Sequence, residues 1–317
     1  MRPSRVHERQ LMIVGLGCLA HDNVLVTETT WSAGKGRIIR REERFGGNVR
    51  NALATVAALD HPAAYLATVG TSSLGEEAFA DLLEHHIDTR FIERVPGADP
   101  VTSVLTITSD GERYIAFDDD ALTRTPLPSA PTIDEALSAA NVLLIDAPTA
   151  PPGSLEVVQR ACDAGIPVVL DAERDPTEGV LALIAEADHL VIPLTFGRDI
   201  TGRVEPADVI DELWSSARTA VVLTDGPRGA YASESPTEIL HVPAFDTPVI
   251  DTTGCGDAFH GAYAVALSRG EDLASRLTLA SAAAAVIAAR EPGERRTPTT
   301  DEIAQLVGDT SSSNQRR

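Results

Sequence analysis

Six short apolar runs, at residues 11–15, 64–69, 142–145, 167–170, 189–192 and 220–223, recur along the chain with helix-like segments between them. Continuous runs of this length, without polar alternation, suit strands buried on both faces, and such strands occur in parallel sheets covered by helices. The intervening stretches supply that cover. Residues 76–86, 154–164 and 206–217 carry apolar side chains at three- and four-residue spacing; in the last, Val209, Ile210, Leu213 and Trp214 oppose Asp208, Asp211 and Glu212. The pattern predicts an α/β fold with a doubly wound, mostly parallel sheet flanked by helices. Two stretches break the rhythm. Residues 24–44 and 101–118 read as strands without helices, and the second holds a Ser-Asp-Gly turn between alternating Val, Leu and Ile. Together they predict a small separate sheet. Because the first stretch directly follows the first core strand, that sheet belongs over the strand ends, where α/β folds bind ligands.

At 317 residues the chain can bury roughly 75% of its unfolded surface, so its core needs no disulfides. Cys18, Cys162 and Cys255 are odd in number and show no CxxC spacing, which fits a reducing cytoplasm. With 47 acidic against 26 basic residues, a net charge of −21, the surface repels nucleic acid and anionic membranes, and neither is expected as a partner. Lys35 is the sole lysine; an arginine-biased codon usage and a salt-rich cytoplasm would each produce that. No apolar run reaches the roughly 18 residues of a membrane span, and the first ten residues lack the apolar stretch of a signal peptide, so a cytoplasmic location is expected. The polar ends, 1–10 and 309–317, are expected to be mobile tails around a folded unit at 11–307.

Chemistry concentrates in VIDTTGCGDAFHGAYAVAL, residues 249–267. Gly254 and Gly256 flank Cys255 just before a helical pattern, and glycines there leave backbone amides free to converge at a helix N-terminus, which binds anions. Asp257 falls in the first turn. A carboxylate beside a bound phosphate repels it unless it does chemical work, and the natural work is to take the proton of an attacking hydroxyl during phosphoryl transfer. The helix dipole is expected to keep Asp257 ionised and a weak base. A plain glycine turn capped by Asp is the competing structural explanation.

DTTGCGD, residues 251–257, resembles the C-terminal signature of the ribokinase family, also called the phosphofructokinase-B family, where alanine usually stands at the place of Cys255. FGGNVRNALATVAALDHPAAYLATVG (45–70) is similar to the family's N-terminal signature. VVLTDGPRGAY (221–231) and SAAAAVIAAREPGE (281–294) resemble its nucleotide-side strand and adenine-side helix. In order and spacing the resemblance spans about 11–307. It implies a ribokinase-like α/β domain with a β lid and ATP-dependent phosphorylation of a hydroxymethyl group with magnesium, and it leaves a monovalent cation open. By position it makes Asp257 the base and Gly254, Cys255 and Gly256 the anion hole. Asp22, Gly46, Gly47, Asn48 and Asn51 would line the sugar pocket, Thr224, Gly226, Gly229 and Thr253 would meet the nucleotide, and Ser281 would lie near the adenine. One departure stands out: the family often carries Asn-x-x-Glu, and the matching positions here are Pro193 and Phe196, neither able to hold a hydrated cation. The metal would then rest on ATP phosphates and other carboxylates.

Lys35, in a glycine-flanked turn, and Arg113, at a position matching a phosphate-contacting arginine of the similar ketohexokinases, would bring cations to the acceptor if both lid pieces close. The glycine pair and Asn51 resemble a ketohexokinase pocket, while the 251–267 segment also resembles sulfofructose kinases; Phe117 and Pro148 stand where a sulfonate would need polar groups. A neutral ketose is therefore the expected substrate. The rivals are an anionic sugar derivative such as a sulfosugar or sugar acid, a nucleoside, and a noncatalytic binding protein of the same fold. Pairing of lids predicts a homodimer. Two further signals carry less. Gly15-Leu-Gly17-Cys-Leu-Ala20 fits a dinucleotide fingerprint but is followed by strand-like sequence in place of the required helix. The eight histidines read as surface or capping residues, and Glu42-Glu43 among Arg40, Arg41 and Arg44 reads as a solvated strand edge.

Overall fold

A computed structural model describes residues 11–28, 37–108, 113–118, 120, 125–235, 238–291 and 294–314. In chain order its strands are β1 (Met12–Leu16), β2 (Ala20–Thr27), β3 (Ile38–Gly46), β4 (Ala63–Val69), β5 (Ile92–Arg94), β6 (Val101–Ile107), β7 (Arg113–Phe117), β8 (Ala140–Asp146), β9 (Val168–Asp171), β10 (His189–Pro193), β11 (Ala220–Thr224), β12 (Ala230–Ser233) and β13 (Leu240–Val242). The helices are α1 (Asn48–Ala58), α2 (Ser73–Glu84), α3 (Ala130–Ala139), α4 (Ser154–Asp163), α5 (Glu178–Glu186), α6 (Leu194–Thr201), α7 (Pro206–Leu213), α8 (Cys255–Ser268), α9 (Leu273–Ala288) and α10 (Thr300–Asn314).

Nine strands form one sheet in the order β13-β12-β11-β10-β9-β8-β1-β4-β5. Pairing is parallel from β11 to β5 and antiparallel only at the β11–β12 and β12–β13 edge. The central strands are buried on both faces, as their unbroken apolar runs require. One face is covered by α1, α8 and α9, through residues such as Leu53, Ala262 and Leu277, and the other by α3 to α7, through Ala136, Val158, Leu183 and Phe196. The remaining strands form a second sheet in the order β3-β2-β6-β7. It is the helix-poor sheet that the sequence predicts, with β6 and β7 antiparallel. The segment joining them lies outside the described residues.

Element ends differ from the sequence reading by physically meaningful steps. β8 and β9 each run one residue past their apolar stretch, to Asp146 and Asp171. Helix α7 stops at Leu213, where a helix to 217 is predicted: Trp214 turns into extended backbone, which lets buried Arg218 donate to the carbonyls of Ile184 and Ala187 at the end of α5, at 2.9 and 2.8 Å. The strand β2 follows β1, so the fingerprint glycines meet no helix start. They serve packing, since a Cβ on Gly15 would lie 2.5 Å from Val49 Cγ1 and one on Gly17 2.7 Å from Val49 Cγ2.

Strand β1 lies between β4 and β8, so the chain leaves it toward one edge and returns on its other side. That reversal opens a crevice at the carboxyl ends of β1 and β8. The second sheet is tied to this end of the main one: the guanidinium of Arg174, just past β9, stacks 5.2 Å from the ring of Phe117 on β7.

Candidate active site

Helix α8 starts from the turn at 251–257. Gly254 caps it in left-handed backbone, φ 78°, a conformation that disfavours any residue with a Cβ. A Cβ added to Gly256 would meet nothing within 4 Å among the described residues, so open space faces the helix terminus. The Cys255 N–H turns back to the Thr252 carbonyl at 3.2 Å. The amides of Gly256 and Asp257, in the first turn, have no intrahelical acceptor and are available to an anion. Behind the turn, buried Asp251 accepts the Thr253 N–H at 3.0 Å and pairs with Arg296, which fixes the loop. Burial pushes the Cys255 thiol up to about 11, so it stays neutral and adds no charge against a phosphate.

Asp257 faces α1. Asn51 Nδ2 donates to its Oδ2 at 2.8 Å. The two helices come this close because Gly261 has no side chain: a Cβ there would lie 2.3 Å from the Ala52 carbonyl oxygen. Gly261→Ala is therefore expected to destabilise the fold by about 1–3 kcal/mol and to lower turnover as Asn51 leaves Asp257; unchanged urea midpoint and turnover would show that the helices can part freely. At the entry to α1, Gly47 has φ 103°, and a Cβ on it would meet the Cys18 carbonyl oxygen at 2.6 Å. A Cβ on Gly46 would sit 3.1 Å from Asp22 Oδ2 and 3.9 Å from Asn51 Nδ2, so Asp22, Gly46 and Asn51 line one small space. Asp22 accepts the Ser103 hydroxyl at 2.5 Å and has Arg44 at 3.6 Å. Asn48, half-buried at the start of α1, acts against the rise of the Asp171 carboxyl.

Several carboxylates act on one another around Asp257. Burial pushes Asp257 up to about 7, with Glu173 and Asp146 acting in the same direction and Asn51 and His260 against it. This corrects the expectation of a weak base held ionised by the helix dipole: desolvation at the bottom of the crevice wins. Asp146, 1% exposed, is pushed up to about 8 by burial and then by Asp171, despite a 2.5 Å bond from Thr149 Oγ1. Asp171 is raised well above the usual carboxylate range by burial, Glu173 and Asp257.

Of the residues expected to meet a nucleotide, Thr224 closes β11 and the next turn begins at Gly226, φ 53°, with open space where a Cβ would be. Gly229, φ 93°, has a packing reason as well, because a Cβ there would lie 2.1 Å from the Val242 carbonyl oxygen. Ser281 on α9 is buried and its hydroxyl has no partner among the described residues. An orphaned donor there and the open amide cradle at Gly256 both fit a nucleotide. Metal is different. Pro193 ends β10, Phe196 is 3% exposed in the core, and among the described residues no three His, Cys, Asp or Glu side chains are grouped to hold an ion.

Lys35 and the side chain of Arg113 lie outside the described residues. Two histidines depart from the surface reading. His189 is buried, contacts Tyr263 Oη at 3.1 Å and is pushed down to about 3 by burial. His260, buried in α8, sets its ring nitrogens 2.8 Å from the Gly256 and Val191 carbonyls and 3.5 Å from Asp171. Arg44 also departs from the solvated-edge reading, since it is half-buried against Asp22. Asp146 and Asp171 went unnoticed in the sequence, although a carboxylate directly after an apolar run was a usable signal for both.

Among the described residues no helix is long and apolar enough to cross a membrane. Residues 13–300 match the pfkB family carbohydrate kinase model. Mouse (Mus musculus) ribokinase is 25% identical over 279 residues, covering 84% of each chain. The ATP-dependent ribose-1-phosphate kinase of Halopiger xanaduensis is 25% identical over 284 residues, covering 87% of this chain and 90% of its own. The structure of Arabidopsis thaliana ribokinase complexed with ribose and ATP superimposes with a TM-score of 0.82 at 22% identity, covering 94% of this chain and 98% of that one. A match over nearly the full length, on a fold that sets a helix N-terminus and a carboxylate beside the main crevice, places the chain in the pfkB family of carbohydrate kinases, phosphotransferases that act on a hydroxyl acceptor.

Proposed function

We propose that the protein transfers the γ-phosphoryl group of ATP to a hydroxyl of a neutral sugar, a ketose being favoured, with Asp257 as general base. The observation that carries this reading is the 2.8 Å bond from Asn51 to Asp257 Oδ2 at the start of α8. Asn51 occupies one carboxylate oxygen, which leaves Oδ1 for the acceptor hydroxyl. As the acceptor oxygen bonds to the γ-phosphorus, its proton passes to Asp257 and the bond to ADP breaks, while the Gly256 and Asp257 amides face the charge that develops. Asp22, with two acceptor oxygens beside Gly46, suits sugar hydroxyls. Magnesium is assigned to the ATP phosphates, because Mg²⁺ keeps most of its waters and needs few protein ligands.

The substrate class rests on charge. Asp22 and Glu173 offset the cations Arg44 and Arg174, and Asp146 and Asp171 are raised toward their neutral forms, so the crevice has no excess positive charge to hold an anion and suits a neutral polyol. The Halopiger relative is named for a phosphorylated sugar, so an anionic substrate is the alternative to test. Purified protein assayed for ADP release against ketoses, aldoses, sugar phosphates, sulfosugars, sugar acids and nucleosides is expected to give the highest kcat/KM with a neutral sugar. A sugar phosphate or sulfosugar ranking first would overturn the neutral reading, and no ADP release with any of them would favour a binding protein.

The second sheet exposes Ile38, Ile39, Val104, Tyr114 and Ile115, apolar area that pairing of two such sheets would cover. A homodimer is expected, with a sedimentation mass near twice the 33.5 kDa chain. A mass near one chain at micromolar concentration, with or without substrate, would overturn it.

A further inference from the structure

Helix α1 is alanine-rich, yet it carries one arginine into the interior. Arg50 is 6% exposed. A buried guanidinium is costly unless paired, and an apolar side chain would join α1 to α2 with less desolvation. Most of its fork is taken by α2: Nε donates to Asp81 Oδ2 at 2.9 Å and Nη2 to Asp81 Oδ1 and Oδ2 at 2.6 Å each, with His85 Nδ1 2.9 Å from Nη2. Nη1 points elsewhere, and donates to Asn51 Oδ1 at 3.2 Å.

That last bond decides which way the Asn51 amide faces. A guanidinium has donors only, so the amide atom that meets it must be the oxygen. The amide nitrogen is then turned to Asp257 Oδ2, at 2.8 Å. With the amide reversed, Oδ1 would face the Asp257 carboxylate and the NH₂ group would face a cation, two repulsions at once. We infer that Arg50 is a positioning residue, held by Asp81, that fixes the Asn51 amide so that Asp257 receives a donor on one oxygen and offers the other to the substrate hydroxyl. The inference rests on the reading of Asp257 as the base.

Arg50→Lys tests it. A lysine keeps a cation beside Asp81 but cannot span both Asp81 and Asn51. Turnover is expected to fall about tenfold, with the KM for ATP within about twofold, because one orienting bond is lost. The acid limb of kcat/KM is expected to move to higher pH as Asp257 loses its donor; the groups facing that carboxyl, Asn51, His260, Glu173, Asp146 and Asp171, are otherwise unchanged. In an Asn51→Ala background the same change is expected to alter turnover less than twofold, because the group through which Arg50 acts is gone. An equal fall in both backgrounds, or an unmoved acid limb, would assign Arg50 to packing and overturn the inference. If Arg50→Lys fails to fold, the Arg50→Met/Asp81→Leu pair, which removes both charges, is carried through the same cycle; failure of that pair to fold would also assign Arg50 to α1–α2 packing. Asp257→Asn separates the two layers. Retained turnover there would overturn the base itself, whereas a dead Asp257→Asn with additive Arg50 and Asn51 effects would overturn only the role of Arg50.

Discussion

Replacing Asp257 with Asn is expected to lower turnover by roughly 10²–10⁴-fold while ATP affinity stays within about twofold. Asparagine keeps the shape of the side chain, and its oxygen can still accept from Asn51 Nδ2. What disappears is the charge proposed to take the acceptor proton. The same change removes one carboxyl from a group, with Asp146 and Asp171 buried and Glu173 exposed, whose members act on one another and on Asp257. Ligand-free protein at pH 8 is therefore expected to melt at a higher temperature after the substitution, as happens when function keeps like charges together at a cost in stability. The paired readout distinguishes lost chemistry from lost folding. Near-normal turnover would overturn Asp257 as base, and a lowered melting temperature would overturn the reading of the carboxyl group as mutually repulsive.

The sheet was legible because burial on both faces leaves no room for polar residues inside a strand, so each central strand announced itself as an apolar run. The second sheet was legible for the opposite reason: its alternating, polar strands lack the helical spacing around them. The turn at Gly254 and Gly256 was readable from backbone geometry alone. Burial of polar side chains was not. Arg50 looked like one polar residue in an alanine-rich helix, and only the fold brings Asp81, 31 positions away, to its guanidinium. His260 and His189 read as surface groups because nothing local shows that α8 is covered all round; its burial comes from α1 and α9 packing on either side. The proton affinity of Asp257 was misjudged on similar grounds. The helix start is local and visible, whereas Asp146 lies 111 positions before it in the chain and reaches it only through the sheet.

Activity and ligand-free stability are expected to run in opposite directions between pH 5 and 8.5. A general base works only when ionised, and Asp257, the proposed base, is pushed up to about 7, so kcat/KM is expected to fall about tenfold per pH unit below that and to reach about 1% of its plateau at pH 5. Stability follows from linkage. Asp257, Asp146 and Asp171 are all raised above the ordinary value of 3.8, Asp146 to about 8, so the folded chain binds protons that the unfolded chain has released. Their contribution is fully present below about pH 4 and is lost as pH rises through 7 and 8. Melting temperature without ligand should therefore decline from pH 5.5 to 8.5, the interval in which turnover climbs. The two trends share one cause, because burial that makes the carboxyls hold protons also makes Asp257 a stronger base at neutral pH. A flat melting temperature together with an acid limb near pH 4 would show that Asp257 behaves as an ordinary solvated carboxylate, and Asp257→Asn should flatten part of the thermal trend if the carboxyl group acts as a unit.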